Sequence, residues 1–209
     1  MKSPLYLASQ SPRRKELLAG AGTRFEVFVP KKEEKKAPQI VKNEALAVKL
    51  VKSIAEGKAK STYEELLEIG KTEGLILSAD TLVFAGKEVL SKPKNPVDAA
   101  RMLKKLSGKT HLVITAVSFL SFTGAKKKTK SIAVKTKVRF RKISKAELTW
   151  YLNTPEPYDK AGAYGAQGMG AAFIAKIEGS YTNVVGLPLA ETLQILDEFF
   201  HAPWQNLGR

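Results

Sequence analysis

The chain of 209 residues contains no cysteine and only two histidines, His111 and His201. Without cysteine there is no disulfide framework and no thiolate-ligated metal, and a reducing compartment is compatible. Neither histidine is flanked by a usable set of partners for a Ser/His/Asp triad, and two histidines without cysteine speak against a zinc site. His111 reads as a strand-start residue. No apolar run is long enough to span a membrane, and the opening Met1-Lys2-Ser3-Pro4 carries no signal-peptide core. The expectation is a cytoplasmic protein. Acidic residues are also scarce: 20 Asp and Glu stand against 35 Lys and Arg, for a formal net charge of +15. That balance favours anionic partners such as nucleotides or nucleic acids. Much of the excess sits in Lys31 to Lys36 and Lys126 to Lys130, where loops or strand ends are expected. Neither stretch is interleaved with aromatics, as a base-stacking surface would be.

What is present is a normal apolar fraction, 44%, in a chain long enough to bury a sizeable core. Periodicity predicts strands over 4–8, 25–29, 75–84, 89–90, 111–122, 131–140 and 171–177. Helices are predicted over 12–21, 43–56, 63–69, 96–106, 144–152 and 187–200, with 57–61 as a break. Ala85-Gly86-Lys87 reads as a hairpin turn. No Pro/Gly/Ser-rich linker divides the chain. The expected fold is α/β, with a mixed sheet because hairpins interrupt the alternation, in a single domain over residues 1–209.

Four segments carry candidate chemistry. Leu7-Ala8-Ser9-Gln10-Ser11-Pro12-Arg13-Arg14 reads as a strand end, a polar turn and a helix start, with Ser11 as cap and Pro12 in the first position. Two arginines at a helix N-terminus suit phosphate, although an ordinary β-turn-α unit with solvated arginines has the same pattern. Asp80, inside an apolar strand, must be paired, metal-bound or in a cleft, and is either a satisfied structural carboxylate, a general base or a Mg²⁺ ligand. Lys92-Pro93 could aim a lysine at a phosphate, and Glu33-Glu34 could hold a metal or be solvated charges. Residues 159–172 are rich in glycine and alanine, matching neither the P-loop nor the dinucleotide fingerprint. Gln167 in that segment has an amide that could read a base edge.

Together these segments resemble the Maf family of septum-formation-inhibitor-like nucleotide pyrophosphatases. The likeness runs through Leu7 to Arg14, Ala79-Asp80-Thr81, Lys92-Pro93, Leu103 to His111, Glu156-Pro157, Asp159 to Gly168, Ile177 to Tyr181 and Val185-Gly186-Leu187-Pro188. The resemblance implies a fold related to the inosine triphosphate pyrophosphatases, two lobes around a cleft, and a homodimer in many members. It implies cleavage of a nucleoside triphosphate to monophosphate and pyrophosphate with Mg²⁺ or Mn²⁺. The form of Ala163 to Gly168 is similar to the branch acting on dTTP and UTP rather than 7-methyl-GTP. Arg13, Thr81 and Gln167 match positions linked to that preference. By the same resemblance Asp80 activates water and holds metal with Glu33 or Glu34, while Ser9, Arg13, Arg14 and Lys92 bind the triphosphate. The family carries a lysine followed by a small residue in the helix after the acidic pair. Ungapped comparison puts Leu50 there, so Lys52, or else Lys49, is expected to serve, with an inserted helix within 56–73. The competing reading is a non-catalytic nucleotide- or nucleic-acid-binding regulator of septum formation. The acidic residues argue against a uniformly basic nucleic-acid groove.

Overall fold

A computed structural model describes residues 3–31 and 37–200. A seven-stranded mixed sheet is flanked by helices on both faces. The first strand β1 (Leu5–Ala8) is parallel to β2 (Glu26–Val27) on one side and to β3 (Glu73–Ala85) on the other. Beyond β3 the pairing is antiparallel through β5 (Thr110–Thr123), β6 (Lys126–Phe140) and β7 (Ile174–Glu178). The short β4 (Glu88–Leu90) folds back on β3 through a turn at Gly86, whose φ of +62° favours glycine.

Alternation along β3 assigns the two faces. Leu75, Leu77 and Ala79 pack with Leu18 of α1 (Pro12–Gly20) and with Ile195 and Leu196 of α6 (Leu189–Phe200). Leu82 and Phe84 pack on the other face against Ala47, Val51 and Ala55 of α2 (Glu44–Glu68). A third cluster joins the far end of the sheet to α3 (Pro96–Leu106) and α4 (Lys145–Leu152). The α4 start is a full capping box, in which Ser144 and Glu147 satisfy each other's backbone N–H. A short helix α5 (Tyr181–Val185) links β7 to α6.

The expected break at 57–61 does not occur: α2 runs unbroken for 25 residues. Gly57 is solvent-exposed with nothing near it, and an exposed helical glycine costs only about 1 kcal/mol against alanine. Burial of Ala55, Ala59 and Tyr63 on either side outweighs that cost. Lys126 to Lys130, expected in a turn, lie within β6 and are paired with residues 119–123 of β5. Phe119, Leu120 and Phe122 anchor that hairpin in the core, and tertiary pairing overrides the low strand preference of lysine. The strand expected over 171–177 begins later, because Met169–Phe173 forms a 3₁₀ turn.

His111 is buried in β5, its Nε2 at 2.7 Å from the Tyr164 hydroxyl, with Phe140 and Tyr164 rings edge-on to it. Burial pushes its pKa down from 6.5 to about 4. The folded ring therefore stays neutral down to about pH 4, whereas the unfolded chain takes up a proton below pH 6.5, so the fold weakens as pH falls from 6.5 towards 4. His111 should contribute a loss of about 2 kcal/mol between pH 7 and pH 5. Urea midpoints at those two pH values check it: the difference should shrink in His111→Gln, and an unchanged difference would show that His111 titrates normally.

Candidate functional site

The site arises from a mismatch in strand length. β1 ends at Ala8, opposite Ser78, and β4 first meets β3 at Val83. Between these points the edge of β3 has no partner strand among the described residues, and Asp80 and Thr81 lie in that gap. Adjacent strand residues point to opposite faces, so Asp80 turns towards α2 and Thr81 towards α1. A cleft of about 1860 Å³ wraps the gap and includes both. Its position at the carboxyl end of β1, where the chain turns into α1, is where open α/β sheets place ligands.

Asp80 is held by Lys58 of α2, with Nζ at 2.7 Å from Oδ1, and the two side chains are 14% and 11% exposed. Lys58 also donates to the Ala79 carbonyl at 3.4 Å. An ion pair this far withdrawn from water has a desolvation cost that only good hydrogen bonding offsets. Oδ2 of Asp80 accepts no bond among the described residues, which leaves an oxygen facing the cleft.

On the other face Arg14 is clamped. Its Nε donates to the Gly186 carbonyl at 2.8 Å, Nη1 to Ser9 Oγ at 3.1 Å, and Nη2 to Thr81 Oγ1 at 3.1 Å. Ser11 occupies the N-cap position but makes no side-chain cap bond. Its own backbone N–H instead donates to Ser9 Oγ at 3.2 Å, so the capping role expected of Ser11 is replaced by Ser9 bracing the turn. Arg13 reaches over the cleft towards Asp159, 3.8 Å away. Burial works to raise the Asp159 carboxyl, but the bond from Lys160 and the Arg13 charge outweigh it and hold the group below its ordinary pKa.

The glycine-rich segment forms a packed wall. Glu156 accepts from the Met169 and Gly170 backbone N–H groups at 2.8 and 2.9 Å and from Tyr151 Oη at 3.1 Å. A Cβ at Gly170 would stand 2.8 Å from the Gly165 carbonyl oxygen, so this close turn demands glycine. Tyr164, Gly165 and Ala166 line the cleft, whereas Gln167 is exposed and outside its lining.

Lys92 lies on the rim, with no ionic partner among the described residues. Further along the wall, Glu88 bonds Lys105 and Arg101, and the Lys105 bond is the main cause of its lowered carboxyl pKa. Among the described residues nine cationic side chains line the cleft against four carboxylates, so a polyanion is the favoured occupant.

Ser9, Arg13, Arg14, Asp80, Thr81 and Lys92 are thus brought to one cleft. Lys52 is not: it lies on α2 away from the cleft lining, which Lys58 of the same helix reaches instead. The signal was in the sequence, since Lys58-Ala59 is a lysine followed by a small residue. Glu33 and Glu34 lie outside the described residues. No group of three or more metal-ligating side chains occurs among the described residues. Nor is any described helix long and apolar enough to cross a membrane.

Residues 4–199 match the family described as Maf-like protein. The chain is 44% identical over 195 residues to a Vibrio vulnificus (strain YJ016) protein named dTTP/UTP pyrophosphatase, covering 93% of this chain and 98% of that one. An Escherichia coli (strain K12) protein of the same name is 43% identical over 195 residues, 93% of this chain and 92% of its own. One from Anaeromyxobacter dehalogenans (strain 2CP-1 / ATCC BAA-258), again so named, is 42% identical over 207 residues, 99% of this chain and its full length.

Proposed function

The chain belongs to the Maf-like protein family, and from that premise we propose that it hydrolyses dTTP and UTP to the nucleoside monophosphate and pyrophosphate. The observation that carries this reading is the placement of Asp80: one carboxylate with an open oxygen, at the gap in the sheet edge, inside a cleft otherwise dominated by cations. A cleft that held an anion by charge alone would gain nothing from a carboxylate there.

In this reading water adds across the α–β anhydride. A water oxygen bonds to phosphorus, Asp80 accepts its proton at Oδ2, the anhydride P–O bond breaks, and pyrophosphate leaves. Ser9, Arg13, Arg14, Lys58 and Lys92 bind the triphosphate and offset charge on the departing group. Arg13 and Thr81, which line the cleft, contribute to nucleotide choice, a role that the exposed position of Gln167 outside the lining does not support. Asp80 also fits a divalent cation: it is a hard oxygen donor, and Mg²⁺ is commonly held by one or two carboxylates together with substrate phosphates. Glu33 or Glu34 would complete that set. The bound cation would supply electrostatic stabilisation of the phosphates.

Pyrophosphate release from dTTP, UTP and 7-methyl-GTP, with Mg²⁺ or Mn²⁺ and with EDTA as control, tests the reading. Metal-dependent release from dTTP and UTP, with 7-methyl-GTP slow, is expected. Absence of release from every nucleotide by folded protein would overturn it in favour of a binding protein.

A further inference from the structure

Two hydroxyls flank Arg14, and the hydrogen bonds around them fix which way each is polarised. A guanidinium only donates, so Ser9 and Thr81 must both accept from it. Ser9 also accepts the Ser11 backbone N–H at 3.2 Å. Its two lone pairs are then engaged, and its hydrogen has no acceptor among the described residues. Thr81 is the reverse case. Its Oγ1 lies 3.0 Å from Thr115 Oγ1, and Thr115 gives its own hydrogen to the Asn183 carbonyl at 2.8 Å. The Thr115 oxygen can therefore only accept from Thr81. The result is a directed chain, Arg14 to Thr81 to Thr115 to the Asn183 carbonyl. Thr115 and Asn183 are fully buried, and the Asn183 amide is pinned by the Thr115 backbone N–H, the Val113 carbonyl and Thr136 Oγ1.

We infer that Thr115 is a positioning residue that holds the Thr81 hydroxyl as an acceptor, so that Thr81 selects a hydrogen-bond donor on the substrate, the N3–H of a uracil or thymine ring. Thr81 keeps one lone pair and no hydrogen for the cleft. It is unsuited to a phosphate oxygen, which needs a donor; Ser9 supplies that. Uracil and thymine both carry N3–H, whereas N3 of cytosine is an acceptor and would meet the Thr81 lone pair with its own. The inference rests on the nucleotide-hydrolase reading above.

The test is kcat/KM for UTP and CTP, which share sugar and phosphates and differ in the base. In Thr115→Val the Thr81 hydrogen loses its acceptor and is released towards the cleft. The UTP:CTP ratio should then fall about tenfold, while Thr115→Ser, which keeps the hydroxyl, should hold it within about twofold of wild type. Equal losses for both nucleotides in Thr115→Val would overturn the assignment, and would be the outcome if Thr81 met a sugar hydroxyl instead. Should Thr115→Val not fold, Thr81→Val provides the same reading: UTP must lose about tenfold more than CTP, and equal losses overturn it. No turnover of either nucleotide by wild-type protein would overturn the hydrolase reading itself.

Discussion

Asp80→Asn is expected to lower kcat for dTTP by about a thousandfold while the protein stays folded. Asparagine has the same shape, and its amide oxygen can still accept the Lys58 ammonium that bonds Oδ1. The packing of β3 against α2 is therefore kept. What is lost is the ability to take a proton and to act as an anionic metal ligand. The substitution also removes one negative charge from a cleft in which cations already outnumber carboxylates. Nucleotide affinity should not weaken, so KM should stay level or fall as kcat collapses. Such a split marks a group acting in the transition state rather than in ground-state binding. Steady-state kinetics with a thermal melt of the same preparation decide the matter. A lowered melting temperature with turnover retained would make Asp80 a structural partner of Lys58 and nothing more.

The elements that sequence patterning located share a local cause. The apolar run of β3, the Gly86 hairpin, the Pro96 start of α3 and the Ser144 capping box are each specified by residues within a few positions of one another. The features that patterning missed depend on distant partners. Lys126 to Lys130 are in a strand because β5 pairs with them, and α2 passes through Gly57 because its buried face docks on the sheet. The site divides the same way. Asp80 stood out because a carboxylate in an apolar strand has a cost, and Arg14 because arginine at a helix start suits an anion. The gap that brings Asp80 and Thr81 into one cleft comes from a four-residue β1 lying beside a thirteen-residue β3, a mismatch visible only once the register is known. Thr115 and Asn183 are 68 positions apart, each an unremarkable polar residue until the fold joins them.

Lys58→Met should lower kcat/KM for dTTP about a hundredfold, and Lys52→Met should change it less than about twofold. The two lysines share one helix, but six residues of α-helix turn the side chain through about 240° and advance it about 9 Å. They cannot serve the same point. Ala55 and Ala59, which bracket Lys58, are fully buried against the sheet, so the Lys58 stem runs along that face and its ammonium arrives at Asp80. Methionine keeps the length and apolar character of the stem, so the packing of α2 should survive. The charge does not, and two effects follow. A phosphate in the cleft loses a cation near the site of bond cleavage, worth roughly 3 kcal/mol in the transition state. Asp80 also loses the bond that fixes its rotamer, so its open oxygen is less well aimed. The first effect raises KM as well as lowering kcat, and the second lowers kcat alone. Lys58→Met should therefore differ from Asp80→Asn by a raised KM. Losses of equal size from Lys52→Met and Lys58→Met would instead show that the charge of α2 acts at long range, a contribution that 0.5 M salt would abolish by shortening the screening length to about 4 Å.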